Sequence, residues 1–194
     1  MSREPVPAPP PYDDSFAAIR GRIREDIAIV ARIEGVPADL KLVLRLCLVT
    51  PGFQFVLSRR IQEAVRRIPV VGPAIRRVLW SLTCVVYGSE LAPSAEIGGG
   101  LYVPHPFGIV VGRSHVGRGV ALMQGVTIGN LHVADRSAPV IGDGCSLGAG
   151  CAVLGPVRLG AGARVGANAV VLVDVPAGGT AVGIPARVLG RADP

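Results

Sequence analysis

The three histidines of this 194-residue chain are the side chains best suited to proton transfer near neutral pH. His105 is flanked by prolines in a stretch of otherwise small and aliphatic residues, GGGLYVPHPFGIVVG (98–112). A histidine placed there is either an acid–base group or an ordinary turn histidine that bonds to the backbone. We expect His115 to face solvent or a subunit interface, and His132 to lie in a loop.

The cysteines do not have the spacing of a metal site. They form no C-x-x-C pair and do not alternate with histidines at ligand spacing. We therefore expect reduced structural thiols and no bound metal. The four cysteines are Cys47, Cys84, Cys145 and Cys151.

The net charge of +6 would suit an anionic partner, such as nucleic acid, a membrane surface or a phosphorylated cofactor. Most of the excess comes from arginines in the first 80 residues, without a lysine-rich run, and aromatics are only 4%. Nucleic-acid binding is therefore not expected. The start, MSREPVPAPPPYDD, has no apolar core typical of a signal peptide, and no stretch of about 18 uncharged apolar residues follows. A cytoplasmic location is expected.

The first part of the chain predicts helices. Residues 1–13 are Pro-rich and expected to be disordered, whereas residues 14–88 show apolar spacings of three and four. Asp14 or Ser15 can cap the first helix. Three more are predicted in PADLKLVLRLCLVTPG, QFVLSRRIQEAVRRI and GPAIRRVLWSLTCVVYG, with a break at Pro51-Gly52. Their wide apolar stripes favour self-association, and peripheral membrane contact is the alternative.

After Gly88 the apolar period becomes six. A small or apolar residue follows four positions after each aliphatic one, and glycine usually comes directly after it. Six residues suit one short strand and one corner, so three repeats make one turn of a triangular parallel β-helix. The repeating aliphatic residues are Leu91, Ile97, Val103, Val110, Val116, Leu122, Ile128, Ile141, Leu147, Val153, Leu159, Val165 and Val171.

The period breaks twice. The step from Val103 to Val110 is seven, and the step from Ile128 to Ile141 is thirteen. Extra residues in a stacked coil must bulge or loop out, and loops on rigid scaffolds often carry sites. The first break contains His105.

These motifs resemble the hexapeptide-repeat acyltransferases, and within them the serine O-acetyltransferase branch. The resemblance is carried by IGGGLYVPHPFGIVVG, MQGVTIGN and the C-terminal run ending in GIPARVLG, and it covers about residues 88–190. It implies a mainly β fold, with a left-handed parallel β-helix over residues 89–175 preceded by the α-helical segment. A loop at 129–140 and a tail at 176–194 complete the chain. It also implies a homotrimer, possibly paired into a dimer of trimers, with acetyl-CoA in the groove between neighbouring β-helices.

By position, His105 matches the family's catalytic base, which takes a proton from the acceptor hydroxyl. An acidic residue fifteen positions earlier orients that base in the serine branch, and Glu90 stands there. Small residues on the stacked strands would let the pantetheine arm approach, and arginines near the C-terminus could bind the CoA phosphates. These cofactor candidates are Gly129, Ala149, Ala167, Arg187 and Arg191.

Two departures from the family's pattern concern the acceptor. The serine enzymes carry Asp-His where this chain has Pro104-His105, and Arg-His-Pro where it reads DRSAPVIG. Arg136 is one residue out of register, and His132 lies in the same loop; both are acceptor-binding candidates. A sugar or other small alcohol in polysaccharide or natural-product biosynthesis is therefore the predicted acceptor, with serine as the alternative. The ending GRADP lacks the isoleucine tail that docks cysteine synthase, so that complex is not expected.

Two other functions remain open at this point. A non-catalytic β-helix scaffold would need neither His105 nor Glu90, and it would not bind CoA. An enzyme resembling the γ-carbonic anhydrases is disfavoured, because three histidines in ligand positions are not apparent.

Overall fold

The computed structural model describes residues 12–132 and 138–189. Within these ranges the chain forms four helices followed by fourteen short strands. Ser15 caps the first helix, as Ser15 Oγ accepts a hydrogen bond from Ala18 N at 3.1 Å. Pro51 lies inside the third helix, because proline fits the first helical turn, and the predicted break falls at Thr50. The helices are α1 (Phe16–Glu34), α2 (Leu40–Val49), α3 (Pro51–Val65) and α4 (Gly72–Tyr87).

The chain winds around three sheets, and the single bridges at Tyr102 and Val175 continue sheets C and B where no strand forms, which makes the predicted three-sided coil. Sheet A contains β1 (Glu90–Leu91), β3 (Val110–Val111), β6 (Thr127–Gly129), β9 (Ala152–Leu154) and β12 (Val170–Val171). Sheet B contains β2 (Glu96–Ile97), β4 (His115–Val116), β7 (Val140–Ile141) and β10 (Arg158–Leu159). Sheet C contains β5 (Ala121–Leu122), β8 (Ser146–Leu147), β11 (Arg164–Val165), β13 (Thr180–Val182) and β14 (Arg187–Leu189). β14 alone among these runs antiparallel to its neighbour.

The interior is a stack of aliphatic side chains, and all but one of the repeating aliphatic residues predicted above are buried in it. Leu91 pairs with Val111, and Val111 with Ile128, so Val111 continues the inner column. Val110 points outward and is 41% exposed, so its predicted inward position is wrong. The small residues four positions later are buried as expected, including Cys145 and Cys151. Burial raises the pKa of the Cys151 thiol to about 12.

Strand pairing continues beyond residue 175, where the sequence predicts the start of a tail. β13 pairs in parallel with β11 on sheet C, and β14 then folds back on β13. At the second break of the period, β6 ends at Gly129 and β7 begins at Val140. Residues 133–137 of the connecting loop lie outside the described ranges.

A buried charged cluster joins the helices to the first coil of strands. Arg60 Nε donates to Asp26 Oδ2 at 2.9 Å, and Arg60 Nη1 donates to the carbonyl oxygen of Ile97 at 2.9 Å. Asp26 Oδ1 also accepts from Leu101 N at 2.9 Å. Burial lowers the pKa of Arg60, but the charge and hydrogen bond of Asp26 outweigh it and raise the pKa on balance. The helical segment is therefore fastened to the coil that leads into His105.

Tyr12 also belongs to this cluster, although the sequence places it in the Pro-rich tail. Its hydroxyl donates to Glu63 Oε1 at 2.9 Å and lies 3.1 Å from the Ile97 carbonyl oxygen. The Arg22 guanidinium stacks over its ring at 4.6 Å.

Among the described residues, no single helix is long and apolar enough to cross a membrane. The bent pair α2 and α3 passes that test by length and composition, with a bend of 90° between them.

Candidate functional site

His105 is an exposed residue at the corner between sheets C and A. The chain here takes eight residues from Val103 to Val111, the next residue of the inner strand column, and only five from Val111 to Val116. The corner therefore bulges by two residues, and the following connection is shortened by one. The bulge is what carries His105 out of the regular coil.

Ser89 holds this bulge from the coil above. Its buried hydroxyl donates to the carbonyl oxygen of Pro106 at 3.0 Å and accepts from Ile109 N at 3.0 Å. Gly108 takes a φ of +68°, and its N–H donates to Gly88 O at 3.2 Å. Sequence reasoning missed Ser89, because a serine next to a strand carries no periodic signal.

Helix α3 supports the same segment from the other side. A Cβ atom on Gly52 would stand 1.8 Å from the carbonyl oxygen of Val103 and 3.3 Å from that of Pro104. Only glycine allows the helix to approach the backbone this closely. Gly52 therefore sets where the residues just before His105 lie. The sequence indicates a break at this glycine but not the contact.

Glu90 begins β1, one coil above His105, and is half-buried. It lines an open pocket of about 520 Å³, together with Trp80 and Arg76 of α4. Among the described residues, no hydrogen bond or ion pair joins the Glu90 carboxylate to the His105 imidazole. The orienting role of Glu90 stays a prediction.

Two of the predicted cofactor residues lie on the same corner as His105. Backbone hydrogen bonds connect successive coils at this corner. Gly125 N donates to Phe107 O, Gly150 N to Gln124 O, and Asn168 N to Ala149 O, at 2.8–2.9 Å. Ala149 is half-buried and Ala167 is exposed. Small residues therefore occupy this corner in the second and third coils after His105, and Gln124 occupies it in the coil between.

The other described cofactor candidates lie elsewhere. Gly129 ends β6 at the opposite edge of sheet A, where its carbonyl oxygen accepts from Gly155 N at 2.9 Å. A Cβ atom on Gly129 would meet no atom within 4 Å, so open space adjoins it. Arg187 is exposed on β14 and pairs with Val182.

The acceptor candidates lie at or beyond the limits of the described chain. His132 is exposed at the last described position before the gap. Arg136 and Arg191 fall outside the described residues, at 133–137 and 190–194. In the described part of the chain, no group of three or more histidine, cysteine or acidic residues could hold a metal ion.

The remaining histidine forms a separate pair on sheet B. His115 Nδ1 lies 3.3 Å from Glu96 Oε2, with both side chains partly in solvent. His115 faces outward as expected. It lies on sheet B, whereas His105 lies at the corner between sheets C and A.

Comparisons with known proteins agree with this architecture. Residues 138–172 match the family model described as bacterial transferase hexapeptide (six repeats). A serine acetyltransferase of Synechococcus elongatus is 37% identical over 152 residues, which is 76% of this chain and 61% of that protein. A serine acetyltransferase of Helicobacter pylori (strain J99) is 37% identical over 146 residues, covering 74% of this chain and 84% of its own length.

Solved structures extend the similarity to the helical segment. Soybean serine acetyltransferase complexed with serine superposes with a TM-score of 0.78 at 32% identity, covering 89% of this chain and 70% of that one. A serine acetyltransferase complexed with CoA gives a TM-score of 0.74 at 31% identity, covering 90% and 70%. The coil is thus the left-handed parallel β-helix with helical N-terminus that the sequence predicts. The chain belongs to the serine acetyltransferase family of hexapeptide-repeat acyltransferases.

Proposed function

We propose that this protein is an acetyl-CoA-dependent O-acetyltransferase in which His105 is the general base. The observation that carries the proposal is the corner itself: an exposed histidine on a bulge, with the small residues Ala149 and Ala167 two and three coils further along the same corner. Similarity to serine acetyltransferases over three quarters of the chain supports the same reaction. The match spans 61% of the Synechococcus relative, so the activity is inferred from the shared part.

The reaction needs one group that can both accept and return a proton. A ring nitrogen of His105 takes the proton of the acceptor hydroxyl as its oxygen attacks the thioester carbonyl carbon. The tetrahedral intermediate then collapses, the C–S bond breaks, and the imidazolium returns the proton to the departing thiolate. The products are the O-acetyl ester and free CoA. A carboxylate that stabilises the imidazolium would assist, and Glu90 is the candidate.

The cofactor candidates fit an extended, amide-rich ligand. Open space adjoins Gly129, and the small side chains of Ala149 and Ala167 leave the backbone at their corner within reach of a pantetheine arm. Arg187 is exposed and available to a phosphate group. A relative of this chain was solved with CoA bound, which supports acetyl-CoA as the donor.

We propose L-serine as the acceptor to be tested first. The relatives reported above are serine acetyltransferases, one of them solved with serine, and they favour serine over the sugar predicted from the sequence. A non-zwitterionic alcohol stays a second candidate. The serine enzymes carry an aspartate directly before the histidine, which could bind the amino group of serine, and this chain has Pro104 there.

We further propose that the working form is a homotrimer, as the family resemblance implies. His105 is exposed to solvent in the single chain. A neighbouring β-helix placed against this corner would complete a groove that excludes water from the reaction.

The test is release of free CoA from acetyl-CoA, measured with serine, homoserine and simple or nucleotide sugars. We expect acceptor-dependent release that falls by about 10²–10⁴-fold in His105→Ala. His115→Gln is the matched control, since His115 pairs with Glu96 on another face, and it should retain activity. Equal loss in both variants, or full activity in His105→Ala, would reject His105 as the base. If CoA itself does not bind, the scaffold function should replace this proposal.

A further inference from the structure

The turn between α3 and α4 presents apolar side chains to solvent between two pairs of arginines. Residues 66–77 read RRIPVVGPAIRR, and we refer to them as the arginine-flanked tip. Between the arginine pairs, every residue except Gly72 is exposed. The large apolar residues exposed there are Ile68, Val70, Val71 and Ile75.

Val70 stands at the apex in an unfavourable conformation. It is 95% exposed and has a φ of +65°, which a β-branched residue rarely adopts. Val71 N donates to the carbonyl oxygen of Pro69 at 2.7 Å across it, which closes a tight turn. Glycine or asparagine would adopt this backbone at lower cost. Val70 therefore adopts a backbone conformation that valine disfavours, and its exposed side chain adds little packing to the fold.

The tip is also strongly basic. Residues 64–89 contain four arginines and no acidic residue. Asp14, from the start of the chain, pairs with Arg66 and Arg67. The Arg76 guanidinium donates to the Pro93 carbonyl oxygen, which carries no net charge. Arg77 is exposed and makes no ion pair with any described residue. The tip is left with an excess of positive charge around its apolar apex.

We propose that the arginine-flanked tip docks the protein on an anionic lipid surface. Val70 and Val71 would enter the boundary between headgroups and acyl chains, and the arginines would contact lipid phosphates. Charge favours this occupant over the same tip of a second copy, because the arginines of two facing tips would repel one another. The cytoplasmic leaflet is anionic, so it complements the tip. This inference does not rest on acetyl transfer.

The first test is co-sedimentation of the full chain with vesicles of phosphatidylcholine alone and of phosphatidylcholine mixed with phosphatidylserine. We expect binding to the mixed vesicles only, and weaker binding as salt is raised. Val70→Asn should reduce that binding severalfold while leaving the fold intact, since asparagine tolerates the positive φ. Val49→Asn is the matched control, because Val49 is also highly exposed but lies at the end of α2, and its binding should match the wild type.

A second pair of variants tests the charge. Arg77→Gln should weaken vesicle binding, and Arg24→Gln, which removes an equal charge from the exposed side of α1, should weaken it much less. Equal losses in these two variants would mean that net charge alone drives binding, and the tip would be rejected. The proposal is also overturned if wild type fails to bind the mixed vesicles. In that case, dissociation of Val70→Asn into smaller species in sedimentation would assign the tip to a contact between copies.

Discussion

Ser89 is the residue on which the geometry of the His105 bulge most directly depends. Ser89→Ala would leave the Pro106 carbonyl and the Ile109 N–H without their partner in a buried corner. We expect a loss of about 1–3 kcal/mol in the free energy of unfolding, measured by urea denaturation. We also expect lower turnover, because the segment that carries His105 loosens.

Ser114→Ala provides the comparison for that variant. Ser114 is equally buried, and its hydroxyl bonds to Gly112 O at 3.0 Å in the shortened connection after the bulge. It should lose stability while keeping turnover. Parallel losses of stability and turnover in both serine variants would show that Ser89 acts on stability alone.

At the scale of elements, the contact between α3 and the first coil decides where His105 sits. Gly52→Ala would place a Cβ atom 1.8 Å from the Val103 carbonyl oxygen, so helix and coil must separate. We expect this overpacking to cost about 1–3 kcal/mol, seen as a lower Tm, together with reduced turnover.

The matched control for this helix glycine is Gly21→Ala. Gly21 lies within α1, and a Cβ atom there would meet no atom within 4 Å. It should gain about 0.5–1 kcal/mol, since alanine favours a helix interior. A Gly52→Ala variant as stable and active as wild type would contradict the close approach of α3.

At the scale of the whole molecule, the junction between the helices and the β-helix should weaken at high pH. Burial, and then the Glu63 carboxylate, raise the pKa of Tyr12 from 10.0 to about 12. Between pH 10.0 and about 12, the folded protein therefore keeps the Tyr12 hydroxyl proton that the unfolded chain has lost. The contribution of Tyr12 is fully present below pH 10.0 and is lost as pH rises towards about 12, by at most about 1.4 kcal/mol per pH unit.

Tyr12→Phe isolates this effect. The difference in unfolding free energy between wild type and Tyr12→Phe should be constant below pH 10.0 and should shrink above it. Chemical denaturation across that range measures it. A constant difference throughout would mean that the Tyr12 hydroxyl is not held by Glu63 in solution.

The sequence by itself determined the coil of the β-helix and the place of its histidine. An aliphatic residue every six positions can be buried only if the chain turns a corner at each repeat, so the period fixes the three-sided stack. Small side chains at Cys145 and Cys151 are required for the same reason. The departure from that period also located His105, and the family resemblance added the prediction that His105 is the catalytic base.

Only the tertiary structure decided how the bulge is divided and held. The step from Val103 to Val116 is thirteen residues, one more than two repeats, and the structure divides it into eight and five, not seven and six, with Val111 inward in place of Val110. That division depends on hydrogen bonds from Ser89 and on the close approach of Gly52, which join segments far apart in the chain. Local periodicity carries no information about such contacts, because each contact depends on which distant backbone segment the fold places next to the residue.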